Sequence, residues 1–476
     1  NNRKTKQPMK RELFYLSLAA AGFTHPSAVS AGEKPKQRPN VIIIFADDLG
    51  WAELGCYGNT FNETPALDSL ARCGVRFTDA YASAPISSPS RAGLISGRYP
   101  LRDGITDYIK PSSPIHLDPS RASLPEALRR NGYRTGIIGK WHLSGYKANG
   151  APVERHPDEY GFEEVILSAE ESIGNGSYFY PWHHLKSVTE AEEHEFIVER
   201  MNREALGFIE RNSDRPFFLY LSHYAVHTMV HGQPELVDYF RSKPGCSHSA
   251  PSKNNPENDP YKKWPADYLA KPHNPHLAAQ LKVIDDGVGM IVEKLEELGI
   301  ADNTIVIFTS DNGGSPQVTD NGPLRGGKGT LYEGGTREPM IVWQPGRICG
   351  GRVSELPTNN YDFYPTLCQL TGTPLPEGFE PDGASIADEL LGTGKCDAER
   401  PLYWYFKIQG RKNGGRWCSS VRAGDWKLIE FHDTGEKELY NLREDPGETR
   451  NRIGDAPERA KRLAEQLAGW RREAEK

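Results

Sequence analysis

Two acidic pairs give the first chemical signal in this sequence. Asp47 and Asp48 follow directly on the apolar run Asn40–Ala46, and Asp311 and Asn312 follow directly on Thr304–Ser310. Such side chains offer only oxygen donors, the set that suits a hard cation, Ca²⁺ or Mg²⁺. Either pair alone is explained by a turn or a helix cap, where Asp and Asn are favoured. In an open α/β sheet, ligands gather at the carboxyl ends of the strands, so two acid-rich strand ends can share one ion. Between them lies Ser87-Ser88-Pro89-Ser90-Arg91. Ser88 predicts an N-cap and Pro89 a first helical residue. Ser87 is then at a helix start, where backbone N–H groups and the dipole favour an anion. Arg91, one turn on, reaches back to Ser87 or to the metal ligands. A plain capped helix accounts for the same residues, and their types alone leave the two readings even.

Further polar residues follow strand-like runs or sit among glycines. Lys140 and His142 come after Arg134–Gly139, and His227 comes after Phe217–Ser222, with His223 and His231 as competing neighbours. Lys328 lies in the Gly-rich stretch 325–329. Taken singly, each is as well explained as a loop or surface residue. Taken together, they occupy the places where an α/β sheet carries its site residues.

The elements that must position these residues are short, continuous apolar runs separated by helical patterns. Strands are predicted at Asn40–Ala46, Arg134–Gly139, Phe217–Ser222, Thr304–Ser310 and 340–343. Continuous runs suit strands covered on both faces. Helices are predicted over 64–73, 123–130, 195–211 and 276–298. In the last, Leu277, Leu281, Ile284, Val288, Ile291, Val292, Leu295 and Leu298 share one face, and Gly299 stops it. Strands alternating with helices predict a large, mostly parallel, doubly wound α/β sheet. Near residue 400 the pattern changes to short antiparallel strands at Leu402–Phe406, 419–422, Trp426–Phe431 and 438–440, closed by a helix over 457–475. The reading is a catalytic α/β domain over 38–398 and a smaller C-terminal α+β domain over 399–476. The polar stretch 243–275 is long enough for a substrate-facing lid, and a solvated insertion fits it equally. The aromatic segments 178–184 and 404–406 suit a sugar pocket or a core.

The chain has 476 residues, 37% hydrophobic and 25% charged, enough for a large domain and a smaller one. A net charge of −7 speaks against a general nucleic-acid binder. Residues 1–31 read as an export signal: Lys10 and Arg11 after Met9, an apolar stretch over 13–23, and small residues at Val29-Ser30-Ala31. Residues 1–8 precede Met9 as an extended basic region or a non-native remnant. No other run predicts a transmembrane segment, so a secreted or periplasmic protein is expected. Of the seven cysteines none forms a CxxC or zinc-like cluster, and an odd count leaves one unpaired.

The run Ser87-x-Pro89-Ser90-Arg91 with Leu94 and Ser96-Gly97-Arg98 resembles the signature of the type I sulfatases, which is also the recognition sequence of a maturation enzyme. Phe45-Ala46-Asp47-Asp48-Leu49-Gly50-Trp51, Gly139-Lys140-Trp141-His142-Leu143, Ser310-Asp311-Asn312-Gly313 and Gly327–Gly335 resemble other motifs of that family. So do the C-terminal Gly424-Asp425-Trp426-Lys427-Leu428 and Leu439-Tyr440-Asn441-Leu442. The resemblance implies an alkaline-phosphatase-like fold and hydrolysis of sulfate esters, and the expected export and aromatic loops suit a carbohydrate ester. It implies that a formylglycine-generating enzyme converts Ser87 to formylglycine, whose hydrate attacks sulfur. Here the position is Ser, either native or in place of Cys. It further implies Asp47, Asp48, Asp311, Asn312 and residue 87 as calcium ligands, and Arg91 as the residue steadying the hydrate. Lys140 and Lys328 would bind sulfate oxygens, His142 would take a proton from the second hydroxyl, and His227 would assist the leaving group. Val226 departs from the proline common before that last histidine. The competing expectations are a phosphonate monoester or phosphodiester hydrolase of the same superfamily, and a non-catalytic binder of sulfated glycan with Ser87 unmodified.

Overall fold

The computed structural model describes residues 38–169, 177–249, 259–261, 265, 267–348, 350–408 and 415–476. The expected export signal lies outside these residues, as does much of the stretch 243–275. The strands are Asn40–Ala46 (β1), Val75–Tyr81 (β2), Arg134–Gly139 (β3), Glu164–Ile166 (β4), Phe217–Ser222 (β5), Thr304–Ser310 (β6), Arg337–Trp343 (β7), Arg352–Ser354 (β8) and Thr358–Asn359 (β9). They form one mixed sheet in the order β4-β3-β5-β1-β6-β7-β2-β8, with β9 also paired to β2. The central β4-β3-β5-β1-β6 block is parallel, and β7 enters antiparallel between β6 and β2.

The continuous apolar reading of β1 is explained by its two faces. Ile42, Ile44 and Ala46 pack into one core, and Val41, Ile43 and Phe45 into the other, all fully buried. Burying a large aliphatic or aromatic side chain contributes about 1.5–3 kcal/mol. The first core is closed by Pro65–Cys73 (α1), with Ile197–Arg211 and Pro275–Glu297 beside it. The second is closed by Ser87–Ser96 (α2), with Leu124–Arg130, Phe363–Thr371 and Ala387–Leu391. The result is a sheet between two helical layers.

Helix starts depart from the sequence reading where a distant residue does the capping. The Thr64 side chain makes no cap bond at α1. Asp285, from the long helix Pro275–Glu297, accepts from the Ala66 and Leu67 amides instead, at 3.2 and 2.8 Å. The helix at residue 87 begins two residues earlier than Ser88 and Pro89 predict. Ser87 is its first residue and Ile86 precedes it without a side-chain cap. The Ser88 hydroxyl accepts from the Ile109 amide at 2.9 Å, so tertiary contact takes it from capping.

Leu402–Phe406 (β10), Cys418–Ala423 (β11), Trp426–Phe431 (β12) and Lys437–Asn441 (β13) form an antiparallel four-stranded sheet in that order. One face packs on the last helix, Pro457–Ala474, through Leu463, Leu467 and Trp470. The other face packs on Tyr81, Ile86 and Leu331. This corrects the pocket reading of 404–406, since Trp404 and Phe406 are at most 1% exposed within that interface. Tyr178, Phe179, Trp182 and His184 are likewise buried. Among the described residues six cysteines are free; Cys349 lies outside them.

Candidate active site

The parallel register brings the functional strand ends to one level. Ala46 pairs with Ser310, Phe45 with Ser222, and Ser222 with Gly139. The next residues along each strand therefore leave the sheet side by side. Asp47 and Asp48 leave β1, Asp311 and Asn312 leave β6, Lys140 leaves β3, and the segment to His227 leaves β5. Asp48 and His142 turn through left-handed backbone, with φ of 63° and 57°. Short polar side chains tolerate that region best. Strand β2 ends on the same edge and delivers Ser87 at the start of α2.

Around Ser87 the contacts are dense. Its Oγ lies 3.3 Å from Asp47 Oδ1, 3.5 Å from Asn312 Oδ1 and 3.2 Å from Lys140 Nζ. Asn312 Nδ2 donates to Asp48 at 2.8 Å, and the Asp48 amide donates to Asp311 Oδ1 at 3.0 Å. Each carboxylate has its own cation. Lys140 reaches Asp47 at 2.5 Å and Lys328 reaches Asp48 at 2.8 Å. Arg91 holds Asp311 through Nε and Nη2 at 3.0 and 2.7 Å. Arg91 also lies 3.6 Å from Asp47 and donates to Ser222, a strand-end residue that the sequence reading passed over.

Electrostatics follow from that pairing. Burial pushes Asp47 up, but Lys140, His227 and Arg91 together hold it below the ordinary carboxylate range. Burial also pushes Asp48 up, and Lys328 and His227 outweigh it. Burial lowers Lys328, yet Asp48 and Asp47 carry it above its usual value. Lys140 stays below its usual value, because burial and the neighbouring Arg91 and Lys328 oppose Asp47. Glu338, a 1% exposed carboxyl in β7, is pushed well up by burial and by Asp311 and Asp48. In the sequence it is signalled only as a charge beside an apolar run.

The two histidines have assigned tautomers. His142 Nε2 faces the Ile109 carbonyl at 3.0 Å and must donate its proton there. Its buried Nδ1 has no hydrogen-bond partner among the described residues and is the acceptor. Burial, Lys140 and Arg91 hold this imidazole well below its usual pKa. His227 Nδ1 donates to the Thr228 carbonyl at 2.6 Å, which leaves Nε2 3.8 Å from Asp48. Of the side chains named here, Lys328 and His227 keep the most access, at 12% and 19%, and so mark the mouth of the site.

The donor set fits a divalent cation. Three buried carboxylates and an amide oxygen lie at the same strand edge, and the charge of Asp311 opposes that of Asp48, a repulsion a cation would offset. One ligand atom each from Asp47, Asp48 and His227 lie within 4.8 Å of one another, so the structure adds His227 to the candidates named from sequence. Oxygen donors in this number suit Ca²⁺ or Mg²⁺. All ten residues expected from sequence lie at this one strand edge.

Residues 39–373 match the sulfatase family model. The chain belongs to the sulfatase family. It is a sulfuric ester hydrolase. A second family model, N-sulphoglucosamine sulphohydrolase C-terminal, matches residues 327–473. Arylsulfatase A of Homo sapiens is 32% identical over 473 residues, covering 90% of this chain and 86% of that one. N-acetylgalactosamine-6-sulfatase of Homo sapiens is 32% identical over 397 residues, covering 78% and 68%. The crystal structure of Ps i-CgsB in complex with k-i-k-neocarrahexaose superimposes with a TM-score of 0.76 at 27% identity, covering 91% of this chain and 93% of that one. Among the described residues, no helix of this sulfatase is long and apolar enough to cross a membrane.

Proposed function

We propose that this sulfatase hydrolyses sulfate monoesters of a carbohydrate, with formylglycine made from Ser87 and a bound Ca²⁺. The observation that carries the reading is the pairing of three carboxylates with three cations around Ser87 Oγ. The protein groups balance to about zero, and a divalent ion raises the site to about +2, which attracts an anionic ester. The sugar assignment is supported by the names of the relatives and by the saccharide in the similar complex.

Asp47, Asp48, Asp311, Asn312 and residue 87 would hold the cation, which supplies a fixed positive centre for developing charge. Formylglycine supplies an oxygen nucleophile and, by re-forming its carbonyl, a route for sulfate to leave. A plain serine lacks that second hydroxyl and would stop after one sulfation. Lys140, beside Ser87 Oγ, and Lys328, on Asp48, bind sulfate oxygens. Arg91, fixed on Asp311, steadies the residue-87 oxygens. His142 Nδ1, unprotonated and unpartnered, accepts the proton that must go as sulfate departs. His227 Nε2, at the mouth, would give a proton to the leaving alcohol only from the doubly protonated ring, because the Thr228 carbonyl holds Nδ1–H and burial with Lys328 lowers the pKa of the imidazole. The catalytic domain of this reading spans 38–398, the C-terminal domain 399–476, and the mature enzyme is exported after removal of residues 1–31.

Two measurements test this. The peptide carrying position 87 should show the loss of a pair of hydrogens by mass spectrometry. An intact serine in active protein sinks the formylglycine assignment, and an inactive protein that still binds sulfated glycan points to a binder. A panel of defined sulfated saccharides, an aryl sulfate and an aryl phosphodiester should give fastest turnover on a saccharide. Faster phosphodiester cleavage would overturn the sulfated-sugar reading.

A further inference from the structure

The segment carrying Lys328 is gripped at both ends by the C-terminal sheet. At its start, Arg325 Nη1 donates to Tyr440 Oη at 2.8 Å and to the Glu448 carbonyl at 2.9 Å, and the guanidinium lies 3.9 Å over the Tyr332 ring. At its end, Tyr332 Oη donates to Glu438 at 2.8 Å, and the Glu333 amide donates to Glu448 Oε2 at 2.7 Å. Lys427 Nζ, from β12, lies 2.7 Å from Glu333 Oε1 and 3.1 Å from Glu448 Oε1, with all three side chains 0% exposed. Between these ends, Leu331 is buried against the sheet.

This grip is transmitted to the site by backbone bonds. The Gly334 amide donates to the Arg325 carbonyl at 2.8 Å, closing the segment into a loop. The Gly313 amide donates to the Gly335 carbonyl, and the Lys328 amide to the Gly314 carbonyl, tying the loop to the residues after Asp311 and Asn312. A buried ion triad is weak evidence for stability, because dehydrating its charges offsets their attraction. Its fixed geometry is the property that bears on catalysis here.

We infer that Lys427 is a positioning residue: through Glu333 it fixes the 325–333 loop so that Lys328 is presented to Asp48 and the sulfate. This rests on the role proposed above for Lys328. Glu333 keeps Tyr81 and Arg337 as partners on the catalytic side, at 2.7 Å each, so loss of Lys427 leaves it paired.

The test is a double-mutant cycle on the mature enzyme with 4-nitrophenyl sulfate. Lys427→Met should lower kcat about 10–100-fold with KM changed less than about 3-fold. Combined with Lys328→Ala, it should cost no more than Lys328→Ala alone, since both act through one ammonium. Losses that multiply, or an unchanged kcat in folded Lys427→Met beside an impaired Lys328→Ala, overturn the positioning role alone. A fully active Lys328→Ala removes the Lys328 role and this inference with it. Should Lys427→Met fail to fold, Arg325→Met at the loop's half-exposed start must show the same non-additivity with Lys328→Ala, and its absence overturns the inference.

Discussion

Lys140 Nζ and Asp47 form one of the shortest contacts in the site, at 2.5 Å, yet the most informative single side chain is His142. Its Nε2–H is committed to the Ile109 carbonyl, so Nδ1 is the basic atom whatever the bulk pH favours. Burial and two neighbouring cations hold its pKa down, so it is unprotonated where a free imidazole would be half charged. His142→Ala should lower kcat about 10²–10⁴-fold. The acid limb of the wild-type kcat profile should then lie below pH 6.5 and vanish in the variant, and a limb that persists would assign it elsewhere. Lys328→Ala removes one fixed positive charge and should cost about 10²–10³-fold in kcat/KM. Asp47, Asp48, Asp311, Lys140 and Lys328 were legible as residue types after a strand or in a glycine-rich loop, and Arg91 as a residue one turn into a capped helix. Ser222 and Glu338 were not, because a serine ending a strand and a glutamate inside one have no local pattern that marks a site.

Among elements, β1, β3, β5 and β6 were legible to their ends, because burial on both faces leaves no other composition, whereas β7 was read only over 340–343 and begins at Arg337. Strand β2 was missed: Arg76, Thr78 and Asp79 keep three of its seven positions partly exposed, and its pairing is supplied by distant β7 and β8. Where β3 meets the site, Gly139 has φ 100°, and a Cβ there would sit 2.1 Å from the Ser222 carbonyl oxygen and 2.3 Å from Met201 Cε. Gly139→Ala should therefore destabilise by about 2–4 kcal/mol, read by urea unfolding, and displace Lys140. The Asp285 cap makes a second prediction. Burial pushes this carboxyl up to about 7, against the pull of the Leu67 and Ala66 amides. Its folded value lies above its unfolded one, so its contribution is full below about pH 4 and lost as pH rises through 7. Asp285→Asn should match wild type at low pH and be the more stable at pH 8, by roughly 4 kcal/mol at most. Equal pH slopes for the two proteins would refute the shift.

At the scale of the molecule, the edge of one sheet collects three carboxylates, three cations and two histidines, and a second sheet braces the loop carrying one of those cations. An ion bound only by the folded state adds about 2.7 kcal/mol when present at 100 times its Kd. Ca²⁺ should raise Tm, and exhaustive chelation should lower both Tm and activity, with recovery on adding Ca²⁺ back. Indifference of Tm to chelator would rule out a metal at this edge.

The sequence by itself determined the chemistry on offer and the parallel core, since both are written in residue type and short-range period. It determined the family likeness through motifs of fixed spacing. Only the tertiary structure decided the pairing of each carboxylate with its own cation, the tautomer of His142, the capping of α1 by Asp285 and the grip of β12 on the Lys328 loop. Each of those joins residues more than thirty positions apart, and such contacts are set by register and packing, which no local pattern encodes.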